Sequence, residues 1–430
     1  MMKIIGTQLW NRKRSNVWIV IELVLVSCLV WYIVDYLFVF NYNKQMPNHR
    51  KIDHTWAIVI DEYKPSHPDY NKEASTGENR EANYQRILQS VKNYPGVETI
   101  GVSFWGSTPC SGSYSGTTYN NAEDSTLTVG GQIIRLHDQT DFFKVFSYTM
   151  NEGKTPVSVQ DFDWTNKVVL ANMAANALFP SEESVVGKAI TQEEDNNLLV
   201  VGVIDDVKRF YYERPQSVFY FSYPLDSTTI SHAELSIRIN PSIPDARFRE
   251  DFKKEMSTAL QVGNFYLKDV RSFQKLEKDQ DTSFGVTTNI RMRTSLMAFF
   301  LLSILLCIIG TFWYRINVRK EEIGIRKALG ATDRSILTSL LLEGLLLLTI
   351  AFIPAMIIEY QFVRAGLIET VGLSFNGGNP TAYLLDRTLL RFLITNGITW
   401  LIMAVVMVAA TLLPAISASK VMPVEALRDE

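Results

Sequence analysis

The side chains that could do chemistry are few and scattered. A phosphate-binding loop needs Gly, four residues, then Gly-Lys-Ser/Thr, so that backbone amides cradle the phosphates and the lysine reaches them. Gly153-Lys154-Thr155 is the nearest case, but Tyr148 stands where the first glycine must be, and Gly187-Lys188 is followed by Ala189. Neither makes a nucleotide site. The five histidines are His49, His54, His67, His137 and His232. Only His49 and His54 lie close together, with Asp53, and that spacing is not a usual zinc pattern, so they read as surface polar residues and no metal site is expected. No Gly-x-Ser-x-Gly elbow occurs. Cys28 and Cys307 fall inside apolar runs, and Cys110 reads as a buried or loop thiol. With no catalytic constellation, the chain is expected to be no enzyme and to carry no cofactor of its own.

Two other kinds of chemistry remain. The first is charge inside apolar runs, where an ionisable side chain needs a partner. Glu22 and Asp35 lie near the two ends of one run, where snorkelling to water is the plain expectation. Glu343 lies about eight residues into another, which suits interhelical hydrogen bonding better than a proton relay. The second is a charged segment, Arg319-Lys320-Glu321-Glu322-Ile323-Gly324-Ile325-Arg326-Lys327-Ala328-Leu329-Gly330-Ala331-Thr332-Asp333-Arg334. Glu321 to Leu329 can form a short helix, with Ile325, Ala328 and Leu329 on one face and Lys320, Arg326 and Lys327 on another. Gly330 stands where a left-handed stop belongs, and Thr332 can cap the next helix with Asp333 in its first turn. From spacing alone this is either a rigid peg pushed by a soluble partner or a charged loop that only sets topology.

The elements that must position these groups are four apolar runs. Residues 17–40, 294–316, 335–363 and 392–416 each exceed the roughly 20 residues a helix needs to cross a bilayer. Whole-chain figures hide them. The 430 residues carry 42 Lys+Arg against 45 Asp+Glu, a net charge of −3, with 47% hydrophobic residues, which would suit a soluble protein of two or three domains. Fifteen Pro and 23 Gly exclude a collagen-like or wholly disordered chain, and three Cys exclude a disulfide scaffold. The near-neutral charge gives no argument for nucleic-acid binding. Residues 41–290, however, carry 25 Lys+Arg and 33 Asp+Glu, a net of −8, so the remainder is at +5.

Charge also orients the runs, because basic flanks stay cytoplasmic. Lys3, Arg12, Lys13 and Arg14 precede the first run; Arg315, Arg319, Lys320, Arg326, Lys327 and Arg334 separate the second and third. The expected layout is a cytoplasmic N-terminal amphipathic helix over 1–16, a first span over 17–40, an exported domain over 41–293 with stalk helices at its ends, and a second span over 294–316. A cytoplasmic coupling loop over 317–334, a third span over 335–363, a short outer loop over 364–391 containing the flanking charges Arg364, Arg387 and Arg391 against Glu359, Glu369 and Asp386, a fourth span over 392–416 and a cytoplasmic tail over 417–430 follow. Leu25-Val26-Ser27-Cys28 matches a lipobox, but the apolar run continues to Val34, so a retained signal anchor is the better expectation.

The exported segment is long enough for its own core. Strands are predicted over 55–61, 97–105, 167–170, 198–204 and 217–223, and an exposed-face strand over 233–239. Helices are predicted over 81–94, 171–179 and 243–260, and a polar helix over 272–290 running as one rod into the second span. Residues 107–131, rich in Gly, Ser, Thr and Asn, read as a long loop or hairpin tip. The fold class expected is a membrane protein with four transmembrane α-helices and a large α+β extracytoplasmic domain between helices 1 and 2.

Glu322-Ile323-Gly324-Ile325-Arg326-Lys327-Ala328-Leu329-Gly330-Ala331 resembles the signature of the MacB/FtsX-like family of ABC transporter permeases. So do Glu343-Gly344, the stretch Leu413-Pro414-Ala415 with Ala418, and Pro423-Val424-Glu425-Ala426-Leu427-Arg428. In the exported segment, Asp141 to Phe146 with Gly153, Val168-Val169-Leu170 with Phe179 and Gly187-Lys188, and Leu199 to Asp206 resemble the periplasmic core domain of that family. The resemblance implies an inner-membrane permease paired with a second permease subunit, as homo- or heterodimer. It implies a separate ABC ATPase, binding ATP and Mg, that docks partly on the helix corresponding to Glu321–Leu329, with Glu321, Glu322, Ile323, Gly324, Ile325, Arg326, Lys327, Leu329 and Gly330 as coupling residues. ATP-driven closure would be relayed outward as mechanotransmission. Efflux of antimicrobial compounds or peptides, with a periplasmic adaptor and outer-membrane channel, is the leading expectation. An FtsX-like relay to a cell-wall hydrolase and lipoprotein release are the alternatives; a membrane sensor without an ATPase is a further one.

Overall fold

The computed structural model describes residues 13–149, 164–180, 182, 184–192, 197–366 and 388–420. Most of the expected N-terminal amphipathic helix, Gly153 to Thr155, most of the short outer loop and the tail from Val421 lie outside the described residues. In chain order the elements are α1 (Lys13–Gln45), β1 (Thr55–Glu62), α2 (Gly77–Lys92), β2 (Val97–Phe104), β3 (Gly116–Asn121), β4 (Thr128–Leu136), α3 (Phe142–Val145), β5 (Lys167–Ala171), α4 (Asn172–Leu178), β6 (Ala189–Thr191) and β7 (Asn197–Ile204). They continue with β8 (Val218–Ser222), β9 (Ala233–Ile239), α5 (Asp245–Ala259), β10 (Phe265–Ser272), α6 (Phe273–Ser283), α7 (Val286–Val318), α8 (Lys320–Ala328), α9 (Asp333–Arg364) and α10 (Thr388–Ser419). The chain divides into a helical unit, Met1–Tyr42 with Thr287–Glu430, and a sheet-rich unit, Asn43–Val286.

Four helices of the helical unit are long and apolar enough to cross a membrane: Val17–Gln45, Val286–Val318, Asp333–Arg364 and Leu389–Ser419. Each runs further than its apolar stretch predicts. Ile19, Leu23, Val26 and Val30 of α1 pack with Ile304 and Ile308 of α7, Leu347, Leu348 and Ala351 of α9, and Met403, Met407 and Ala410 of α10. At Gly344 of α9, an added Cβ would meet Met407 Sδ at 3.1 Å and Thr411 Cγ2 at 3.2 Å, so a small residue lets α9 and α10 approach closely.

In the sheet-rich unit the strand order is β10-β1-β9-β2-β4-β3-β6-β7-β5-β8, and β8 pairs again with β4. That second pairing closes β4-β3-β6-β7-β5-β8 into a ring, while β10-β1-β9-β2 remains an open antiparallel lobe. One face of the open lobe carries α2 and α5, burying Trp56, Ile58, Ile87, Val91, Ile237, Phe248 and Phe252. Phe142, Phe143, Phe146, Tyr148, Tyr220 and Phe273 form a separate aromatic core. Val168, Leu170, Leu178, Ile190, Val200 and Phe219 form that of the ring. This is the α+β domain expected between the first two apolar helices.

One local alternative is resolved and two expectations are corrected. Of the loop and hairpin readings of 107–131, the hairpin is the one present: the segment contains a strand, β3, and the start of β4, paired from Gly116↔Gln132 to Asn120↔Thr128. The strand β9 is not exposed on one face: it lies between β1 and β2, with Leu235, Ser236, Ile237 and Ile239 all buried. The predicted rod is broken, because α6 ends at Ser283 and Gly285 takes a left-handed φ of +66° before α7 begins. At the other end of the unit, Lys208 Nζ donates to the carbonyl oxygens of Asn43 at 3.0 Å, Met46 at 2.8 Å and Tyr211 at 3.1 Å. A buried lysine thus satisfies the carbonyls left open where α1 ends.

Candidate functional site

The coupling segment folds as the helix α8, one residue earlier than predicted at each end. Glu321 and Glu322 occupy its first turn and Arg326 and Lys327 its last, an order that favours the helix dipole. Its stop is a Schellman motif: Ala331 N donates to Arg326 O at 3.0 Å and Gly330 N to Lys327 O at 2.9 Å, with Gly330 at φ +97°. Thr332 Oγ1 then accepts from Ser335 N at 3.3 Å and caps α9. Lys327 Nζ reaches Asp333 Oδ1 at 2.8 Å across the turn. The segment is thereby tied down at both ends, and it is a structured peg.

One face of the peg is seated. Ile323 is buried against Ile316 of α7, Ile336 and Leu340 of α9, and Ala415 and Ala418 of α10. Gly324 is buried beside it. An ionic chain runs under this face. Arg319 Nη1 donates to Glu343 Oε2 at 2.9 Å and Arg319 Nε to Glu322 Oε2 at 3.2 Å; the other Glu322 oxygen takes Arg326. Arg315 Nη1 lies 3.7 Å from Glu343 Oε1. Buried charges are tolerated where every member is paired and hydrogen-bonded. The opposite face is open: Ile325 is 50% exposed and Leu329 83%. The predicted grouping of Ile325, Ala328 and Leu329 on one face therefore corresponds to the free edge, whereas Gly324 and Ile323 belong to the anchor. Lys320, Glu321 and Gly330 lie on the exposed side of the peg.

Two other carboxylates of the apolar helices have partners on neighbouring helices. Asp35 is 1% exposed and takes both arms of Arg391, with Arg391 Nε at 2.9 Å from Asp35 Oδ1 and Nη2 bonded to Oδ2. The pair joins α1 to the start of α10. Glu22 accepts from the Cys307 thiol at 2.7 Å, a bond from α1 to α7. Sequence reasoning placed Glu359 among loop-flanking charges; it is 0% exposed, inside α9. Glu343, 16 residues earlier in the same helix, is buried as well, but an ideal helix sets the two about 160° apart, so their spacing gave no common-face signal.

In the sheet-rich unit the buried groups are structural. Burial pushes the Cys110 thiol up to about 12, as expected for an inert buried cysteine. Glu234 accepts from Gly106 N at 2.9 Å and Thr108 N at 3.2 Å, pinning the start of the Gly/Ser-rich stretch, and burial raises its carboxyl above the usual range. His49 and His54 face Asp205 at 3.6 Å and Asp245 at 3.5 Å.

The FtsX-like permease C-terminal family model matches residues 294–423, and the MacB-like periplasmic core domain matches residues 39–255. Curated relatives include the macrolide export ATP-binding/permease protein MacB of Salmonella choleraesuis (strain SC-B67) and of Salmonella typhi, each 23% identical over 213 residues, 48% of this chain. The chain spans 32% of the length of these relatives. Among solved structures, the periplasmic region of MacB from Actinobacillus actinomycetemcomitans aligns at 12% identity and TM-score 0.32, covering 53% of this chain and 93% of that one. The extracellular domain of the noncanonic ABC-type transporter YknZ from Gram-positive bacteria aligns at 14% identity and TM-score 0.30, covering 50% of this chain and 100% of that one. With the core-domain model covering half of the chain and the permease model covering the second to fourth apolar helices and the peg between them, the chain belongs to the MacB/FtsX-like family of ABC transporter permeases, as a membrane subunit with an extracytoplasmic core domain.

Proposed function

We propose that this chain is the permease subunit of a MacB-type ABC transporter. A partner ABC ATPase binds ATP and Mg and docks on the peg α8, and its closure is relayed through the apolar helices to the core domain. The peg and both termini face the cytoplasm of a bacterial cell, the core domain faces outward, and a second permease subunit completes the pair. The work done is efflux of antimicrobial compounds or peptides, handed to a periplasmic adaptor and outer-membrane channel.

The observation that carries this reading is the two-sided peg. Ile323 and the Arg319–Glu343 pair bolt α8 to the apolar helices, while Leu329 and Ile325 offer an unpartnered apolar edge. A push on such an edge moves the helices rather than bending a loop. Co-purification of an ABC ATPase with the full chain tests it. Leu329→Asp should reduce recovery about tenfold or more at unchanged membrane insertion. Equal recovery from wild type and variant would remove the peg as the docking element.

A further inference from the structure

Glu359 is the one charged-type residue buried in the helical unit whose carboxyl oxygens both lack a hydrogen-bond partner among the described residues. It projects from α9 toward Asn396 of α10 and Cys28 of α1, with Asp35 within electrostatic reach. An ionised carboxylate there would need several strong donors, and few are near. Asn396 Nδ2 gives one of its two hydrogens to Phe392 O at 3.0 Å and keeps one. Arg391 directs Nε and Nη2 to Asp35. Trp31 Nε1 donates to Thr395 Oγ1 at 3.0 Å. The Cys28 thiol, a weak donor, is turned to Ala355 O at 3.9 Å.

A carboxylic acid fits this surrounding and a carboxylate does not. The neutral acid needs fewer donors than the anion, and neither Glu359 oxygen is hydrogen-bonded among the described residues. The anion would have one amide hydrogen and a weak thiol beside it and the negative Asp35 within reach, in a low-dielectric interior where a poorly partnered buried charge takes up a proton instead. We propose that Glu359 is an intramembrane proton-binding site: a neutral acid buried where α9 meets Asn396 of α10 and Cys28 of α1, whose ionisation would loosen that contact. The groups facing it are Asp35 and Cys28 from α1 and Asn396 from α10. The Asp35–Arg391 pair joins α1 to α10, so the proton on Glu359 acts on a separate contact made by α9.

A hydrophobic carbodiimide reads the protonation state directly. The acid adds across one C=N bond of dicyclohexylcarbodiimide, its oxygen bonding the central carbon and its proton passing to nitrogen; the O-acylisourea then rearranges to a stable N-acylurea with every atom retained. The full chain in lipid nanodiscs is treated in acidic and alkaline buffer, and adducts are mapped by peptide mass spectrometry. The expected result is an adduct at Glu359, falling about tenfold per pH unit once the acid ionises, and absent in Glu359→Gln. Because glutamine has the size of the acid and stays neutral, this variant should melt with the wild type in acid and above it in alkali. No adduct at Glu359 in acid, or a Glu359→Gln protein that melts well below wild type in acid, overturns the proposal.

Discussion

Arg319 and Glu343, 24 residues apart, meet at 2.9 Å where α8 begins and α9 has made its third turn. The contact links the peg to an apolar helix through one charge-assisted hydrogen bond, and Arg315 adds a second cation to the same carboxylate at 3.7 Å. Removing Glu343 leaves two buried guanidinium groups short of an acceptor. Glu343→Leu should therefore cost about 3–5 kcal/mol. Glu343→Gln, which keeps one acceptor, should cost less. Thermal unfolding of the full chain in detergent checks the order, and equal melting of both variants with the wild type would show the pair to be idle.

The peg separates two kinds of mutation that the sequence pattern does not. Leu329→Asp and Ile325→Asp change the exposed edge, so stability should stay within about 0.5 kcal/mol of wild type. Gly324→Asp puts a charge beside Ile323 in the seated face, and it should lower the melting temperature by several degrees. A Gly324→Asp protein as stable as Leu329→Asp would mean the face is not seated as described.

How much of this was legible follows from which forces are local. The four apolar runs and the stop at Gly330 depend on composition and on one residue's backbone freedom, and both can be read along the chain. The break at Gly285 was equally local, yet the polar helical pattern on either side masked it. A hairpin within 107–131 was one of two readings, but the strand itself was not legible, because Gly116 to Asn121 has little apolar content and becomes a strand through pairing with β4 and β6. The closure of the ring through β4 and β8 is likewise a long-range pairing. Asp35 and Glu359 escaped for a third reason. Each lies near a helix end, where snorkelling is cheap, and only the packing of α10 against α1 and α9 removes them from water.

Asp35 and Arg391 allow a charge-exchange test. Asp35→Leu or Arg391→Met takes the opposite charge away from its buried partner and should cost about 3–5 kcal/mol. The double variant Asp35→Arg with Arg391→Asp restores opposite charges and should recover part of the loss, the interaction appearing as a non-additive term. Strict additivity in detergent melting would show that the two side chains do not meet.

Lys208 closes the end of α1 with bonds to two carbonyls there and a third to Tyr211. Lys208→Met keeps the length and apolar stem but leaves those carbonyls unsatisfied, at about 1–3 kcal/mol. Hydrogen exchange should quicken first at residues 43–48, where the helix end would fray, and not in α2 or α5. Unchanged protection there would mean water replaces the ammonium without loss.

Glu213 makes the sheet-rich unit pH-sensitive. Burial pushes its carboxyl up to about 7, partly offset by the Arg209 guanidinium and by the Phe210 backbone. The folded state then holds a proton that the unfolded chain has already released, so this group stabilises below the ordinary glutamate range and its contribution is lost as pH rises toward neutrality. The swing is on the order of 3 kcal/mol at most. The unfolding free energy of the wild type should fall across that window by more than that of Glu213→Gln, whose amide cannot ionise. Parallel pH profiles for the two proteins would place the glutamate in water, contrary to its burial among Arg209, Phe210 and Arg50.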